Sequence, residues 1–173
     1  MFIASLLVLG FVNMYDILIG DSVPEISTLH KHDDNLLKGC PDLDLVENFD
    51  EDRAWLSLKP ALQILDVVCP EASAWARDQK ESNNIVWVPK SDGAYARYDQ
   101  VRMRLIVNAD MFALINSERS CTIAHEFRHS RQNISKSWKS ACYLLLKGKR
   151  NPDIIEDDAY FYEAKVRDAI NGR

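Results

Sequence analysis

Thr122-Ile123-Ala124-His125-Glu126-Phe127-Arg128-His129-Ser130 is the stretch on which the fold and chemistry of this chain turn. On a helix, residues four apart lie one turn above each other, so His125 and His129 present two imidazoles on one face. Two imidazoles so placed can both reach one tetrahedral Zn²⁺. Glu126 projects about 100° round from His125 by helix geometry, beside such an ion and not onto it. From there a carboxylate can take a proton from zinc-activated water and deliver it to a leaving amine. Ile123, Phe127 and Ile134 fall on the opposite face, which can be buried while the histidines face a cleft.

Working outward, the helix carrying this stretch is predicted from about Glu118 to Ile134, with Asn116 or Ser117 as its N-cap. Before it lies a short helical piece over Asp110–Ile115 and, earlier still, a change of period. Ile85–Val88, Tyr95–Tyr98 and Arg102–Val107 read as three strands, at least two of them forming a hairpin. Upstream of the strands, Trp55, Leu58, Leu62, Leu65 and Val68 recur at helical spacing over Arg53–Val68. Pro60 must then start that helix or break it in two. Pro70 opens a second helix through Lys80, with Ala72, Trp75 and Ala76 inward. Downstream, Lys136–Lys147 reads as a helix, and Asn151-Pro152-Asp153 starts a last one running towards Asp168, with Asn171-Gly172 as its stop.

A catalytic zinc needs a third protein ligand and an open position. Gln132 and Ser135 stand where a third histidine would follow in the longer His-Glu-x-x-His-x-x-Gly-x-x-His pattern, which is thereby excluded. His30 and His32 fall outside the expected domain. The natural alternative is a carboxylate on the last helix, with Glu156, Asp157, Asp158 and Glu163 as candidates. Ile155, Ala159, Tyr162 and Val166 form the apolar stripe of that helix, and Glu156 and Glu163 share an adjoining face. Glu156 is the preferred ligand and Glu163 the second choice. Tyr160, one turn on from Glu156, is a candidate catalytic group to stabilise an oxyanion, against the plainer role of a packed aromatic. Gln132 extends the histidine face and is a candidate to orient a ligand from behind.

Composition bounds the rest. A length of 173 residues at 47% hydrophobic supports one good core. The formal net charge of −5 leaves no basic footprint for nucleic acid. Phe2–Val12 is a nearly unbroken apolar run, shorter than a membrane span and suited to a secretory signal, although no Lys or Arg precedes it. Residues 1–20 are therefore expected to be a signal peptide or N-terminal anchor, which places the protein as secreted or periplasmic. Residues 21–50, with Pro24, Pro41 and many acids, are expected to be a linker or propeptide-like lead, and residues 51–173 the domain. Cys40, Cys69, Cys121 and Cys142 form no C-x-x-C pair; two disulfides suit an exported protein, and buried thiols are the other reading.

His125-Glu126-Phe127-Arg128-His129 followed by Glu156-Asp157-Asp158-Ala159 resembles the gluzincin group of zinc metallopeptidases, in particular the small ImmA/IrrE-type peptidases and uncharacterised metallopeptidase domains. The resemblance spans approximately residues 85–170. It implies an α+β, zincin-like single domain: a short three-stranded sheet, an active-site helix and a C-terminal ligand-bearing helix. It also implies Zn²⁺ on His125, His129 and Glu156, Glu126 as general base and acid, and a peptide or protein substrate. In that group an edge strand can bind substrate backbone. Where the smaller peptidases have a small residue seven positions after the ligand, this chain has Glu163. The alternative is a non-catalytic metal-binding or protein-interaction domain that retains the helix. A deformylase-like hydrolase would need a Cys ligand in a Glu-Gly-Cys context, which Cys69 and Cys121 lack.

Overall fold

The computed structural model describes residues 34–39, 41–89, 93–132 and 151–172. The N-terminal apolar run, Cys40, Cys142, Ile134 and the helix expected over Lys136–Lys147 lie outside the described residues. Among the described residues no helix is long and apolar enough to cross a membrane.

Two short helices come first, α1 (Asp34–Lys38) and α2 (Leu43–Glu47). They belong to the body. Leu45 is fully buried, the Asp42 backbone N–H donates to the Phe112 carbonyl at 2.8 Å, and Asn116 Nδ2 donates to the Leu36 carbonyl at 2.8 Å. Part of the stretch expected to be a linker or propeptide-like lead, around Leu36, Asp42 and Leu45, thus packs on the body. Each of these helices has five residues, too few to display an apolar repeat in the sequence.

The first long helix, α3, runs over Glu51–Val68 with Asp50 as its N-cap; the Asp50 carboxylate accepts from the Arg53 backbone N–H at 2.7 Å. Pro60 lies inside α3 and neither starts nor breaks it, contrary to expectation. Proline leaves acceptors unpaired in the preceding turn. The missing N–H is the one that would serve the Leu56 carbonyl, and the neighbouring Ser57 carbonyl accepts from the buried Arg119 at 2.9 Å. Helix α4 (Pro70–Glu81) carries Pro70 at its start and buries Ala72 and Ala76.

Three strands follow: β1 (Ile85–Val88), β2 (Ala96–Asp99) and β3 (Arg104–Asn108), in the order β1-β3-β2. β2 and β3 form the expected hairpin, antiparallel from Ala96 opposite Val107 to Asp99 opposite Arg104. β3 begins at Arg104, not Arg102, because Met103 takes a left-handed conformation (φ 54°) in the turn. β1 pairs parallel to β3, so β2 is an edge strand.

A 3₁₀ turn at Ala109–Ala113 leads into α5 (Asn116–Arg131), and α6 (Asn151–Ile170) closes the described chain. α5 starts two residues before the expected Glu118, with Ile115 at the N-cap and no side-chain cap; Asn116 is instead occupied with Leu36. α5 is central, packing on α6, α3, α4 and β2. Its Ile123 and Phe127 join Leu62, Leu65, Met111, Phe112, Tyr162 and Val166 in the core. Burying each such side chain contributes roughly 1.5–3 kcal/mol. The architecture is therefore mixed α+β with a small three-stranded sheet.

Candidate metal centre

On α5 the spacing of four stacks His125 over His129, their rings 4.7 Å apart and their Nε2 atoms 3.0 Å apart. α6 brings Glu156 to both: Oε2 lies 3.4 Å from His125 Nε2, and Oε1 lies 3.4 Å from His129 Nε2. One ligand atom from each of these three residues lies within 4.8 Å of the others. The two histidines are buried, whereas the Glu156 side chain is 47% exposed and so leaves one side of the cluster open.

The outer ring nitrogens decide what the inner ones are. His125 Nδ1 faces Glu163 Oε2 at 3.1 Å, and a carboxylate accepts, so Nδ1 carries a hydrogen. His129 Nδ1 faces Gln132 Oε1 at 2.8 Å, with the same consequence. In the neutral rings both Nε2 lone pairs then point at one another and at an anionic carboxylate. Such a convergence of acceptors calls for a cation, either a proton on one ring or a metal among all three. This donor set, two nitrogens and one carboxylate, suits zinc, and its hydrogen-bonded outer nitrogens are the usual support of metal-binding histidines.

The electrostatics follow from the same geometry. Burial pushes His125 down, but the Glu163 hydrogen bond and the nearby carboxylates of Glu126, Glu163 and Glu156 outweigh it, and its pKa stands above the ordinary value. Burial lowers that of His129, and a charge on His125 lowers it further, although the Gln132 hydrogen bond opposes them. Glu163 is held below the usual carboxylate range by its hydrogen bond to His125, then by Arg167, which donates to its other oxygen at 2.8 Å.

Glu126 is only 4% exposed, and burial pushes its pKa up to about 7, against the pull of His125 and of the Tyr98 backbone N–H. One of its oxygens has no hydrogen-bond partner among the described residues. A base that titrates near neutrality beside two convergent imidazoles is suited to moving protons in either direction.

A cleft of about 760 Å³ opens over the cluster. Its walls include Ala96, Arg97 and Tyr98 of edge strand β2, Thr122 of α5, and Tyr160 of α6. The Tyr160 ring stands edge-on to His125 with centroids 4.7 Å apart and is 60% exposed, so its hydroxyl is available to a bound molecule. Gln100, in the hairpin turn, donates to the His129 carbonyl at 2.8 Å and ties the sheet to the end of α5.

The candidates among the described residues separate by position. His125, His129 and Glu156 come together, Glu126 and Tyr160 line the same cleft, and Glu163 sits behind His125 at its outer nitrogen. Asp157 is exposed, and Asp158 pairs with the buried Arg128. Tyr162 is elsewhere, its hydroxyl 2.9 Å from Cys69 Sγ in the core. Gln132 does support His129, but from just past the end of α5 and not from a further helical turn. Cys69 and Cys121 are free buried thiols, in place of the expected disulfides, and burial pushes the Cys121 thiol up to about 12. The Arg128–Asp158 pair has no local sequence signature, because its partners lie 30 residues apart on different helices.

No family model, no curated protein and no solved structure matches this chain.

Proposed function

We propose that this protein is a zinc-dependent peptidase with a zincin-like fold, its metal held by His125, His129 and Glu156 and its protons moved by Glu126. The observation that carries this reading is the convergence of three ligand atoms beside a buried carboxylate whose second oxygen has no partner among the described residues. Zinc bound there would supply Lewis acidity to a carbonyl and lower the pKa of a water molecule. The chain's own residues divide the remaining work. Glu126, poised near neutrality, accepts a proton from the attacking water at its free oxygen and later returns it to the leaving amine. Tyr160, exposed beside His125, offers a hydroxyl to the developing oxyanion. The edge of β2 lines the cleft, and its backbone can pair with an extended peptide. Export, with residues 1–20 cleaved or kept as an anchor, belongs to the same proposal and rests on the apolar run.

The test is elemental analysis of purified protein together with turnover of a peptide library. Wild type should carry one zinc and cleave; His125→Ala and Glu156→Ala should lose both. Glu126→Gln should keep its zinc and lose activity by about 10²–10⁴-fold. Absence of zinc from the reconstituted wild type would remove the metal centre, and full activity in Glu126→Gln would remove the mechanism.

A further inference from the structure

Arg128 occupies one of the two positions between Glu126 and His129, and it is 1% exposed. Its guanidinium grips Asp158 of α6 with Nε at 2.6 Å from Oδ2 and a terminal nitrogen at 3.2 Å from Oδ1. A buried charge pair of this kind is costly to desolvate, and replacing it by apolar residues is often neutral or stabilising. Its presence between the two helices that carry the ligands needs another reason.

The third member supplies one. Asp158 Oδ2 also accepts from Gln132 Nε2 at 2.8 Å, and Gln132 Oε1 faces His129 Nδ1 at 2.8 Å. A carboxylamide is two-ended: its oxygen selects one imidazole tautomer and its nitrogen the other. Asp158, facing a guanidinium, can only accept, so it takes the nitrogen end of Gln132 and leaves the oxygen for His129. His129 must then carry its hydrogen on Nδ1, with the Nε2 lone pair directed at His125 and Glu156.

We propose that Arg128, Asp158 and Gln132 are positioning residues that fix the tautomer of His129 and so keep its Nε2 open to the metal. The proposal rests on the metal-centre reading above. It differs from the support given to His125, where Glu163 is a carboxylate and has no wrong end to present. On the His129 side the information lies in Asp158, two residues beyond the ligand Glu156, so one contact sets both the tautomer and the seating of α6 on α5.

The experiment is imidazole ¹⁵N spectroscopy on the metal-free full-length protein, with zinc affinity measured on the same samples by chelator competition. Wild type should show His129 in the Nδ1–H form. In Asp158→Asn the new amide can donate to Gln132 Oε1 and turn it over, which should raise the Nε2–H form and weaken zinc about 10–100-fold. Adding Gln132→Glu to Asp158→Asn restores an acceptor for both neighbours and should restore tautomer and affinity. Because Asp158→Asn leaves Arg128 without its carboxylate, Gln132→Met serves as the variant that keeps the ion pair, and it should likewise release the tautomer. If the folded variants keep the Nδ1–H form and wild-type affinity, the proposal is wrong while the metal centre stands. If the tautomer responds as expected but wild type binds no zinc, the relay stands and the metal reading falls.

Discussion

Glu126→Gln should separate stability from activity. The wild-type carboxyl is buried, and its pKa rises from 4.5 to about 7, with desolvation as the largest cause. At ~1.36 kcal/mol per unit, keeping this group ionised in the folded state costs about 3 kcal/mol. The sign follows from proton uptake: between pH 4.5 and about 7 the folded protein holds a proton that the unfolded chain releases, so stability falls as pH rises. Below pH 4.5 Glu126 contributes no penalty, and above pH 7 the full penalty is present. Glutamine has nearly the same shape, can still accept from the Tyr98 N–H, and never ionises. Metal-free Glu126→Gln should therefore match wild type near pH 4.5 and exceed it by about 3 kcal/mol at pH 8. At roughly 2–4 °C per kcal/mol for a chain of this size, the gap in Tm is about 6–12 °C. Differential scanning fluorimetry in EDTA at pH 5, 6, 7 and 8 measures it. A Tm difference that stays constant across this range would refute the burial argument.

Zinc affinity should fall with pH about tenfold per unit once His125 holds a proton that the metal must displace. Because burial of His125 is outweighed by Glu163 and the surrounding carboxylates, that fall should begin above the pH of an ordinary histidine; competition titrations from pH 5.5 to 8 read it. Leu45→Ala tests the assignment of residues 34–50 to the body: a fully buried leucine should cost about 2–5 kcal/mol by urea denaturation, whereas a linker residue would cost nothing.

What could be read in the sequence was what repeats locally. Helix α5 announced itself because 3.6-residue spacing acts on His125, His129, Ile123 and Phe127 at once. The hairpin was legible from turn residues and alternation, and the last helix from its Asn-Pro-Asp start and Asn-Gly stop. Contacts between distant segments have no such signature. The parallel pairing of β1 with β3 skips a strand, and the docking of α1 and α2 depends on Leu36 meeting Asn116 and Asp42 meeting Phe112. Pro60 looked like a breaker, yet α3 runs through it, held by packing on α4 and α5 that the local sequence does not display. Asp158 was visible only as an acid among acids, and its place opposite Arg128 follows from how α6 lies on α5.

Two groups among the polar residues buried on α5 contrast in a way that bears on function. Arg119 and Ser120 donate to backbone carbonyls: Arg119 to those of Met111, Phe112 and Ser57, and Ser120 to those of Ala61 and Asn116. They knit α5 to its neighbours, and stability alone accounts for them. His125, Glu126 and His129 are different. The inner nitrogens of the two histidines face each other and Glu156, and one oxygen of Glu126 faces no partner among the described residues. A helix shaped for stability alone would place apolar side chains at these buried positions, since unanswered polar groups there cost free energy. Breaches of local consistency in a folded chain concentrate where a ligand completes the arrangement. A cation between the imidazoles, and a water molecule against Glu126, would complete this one.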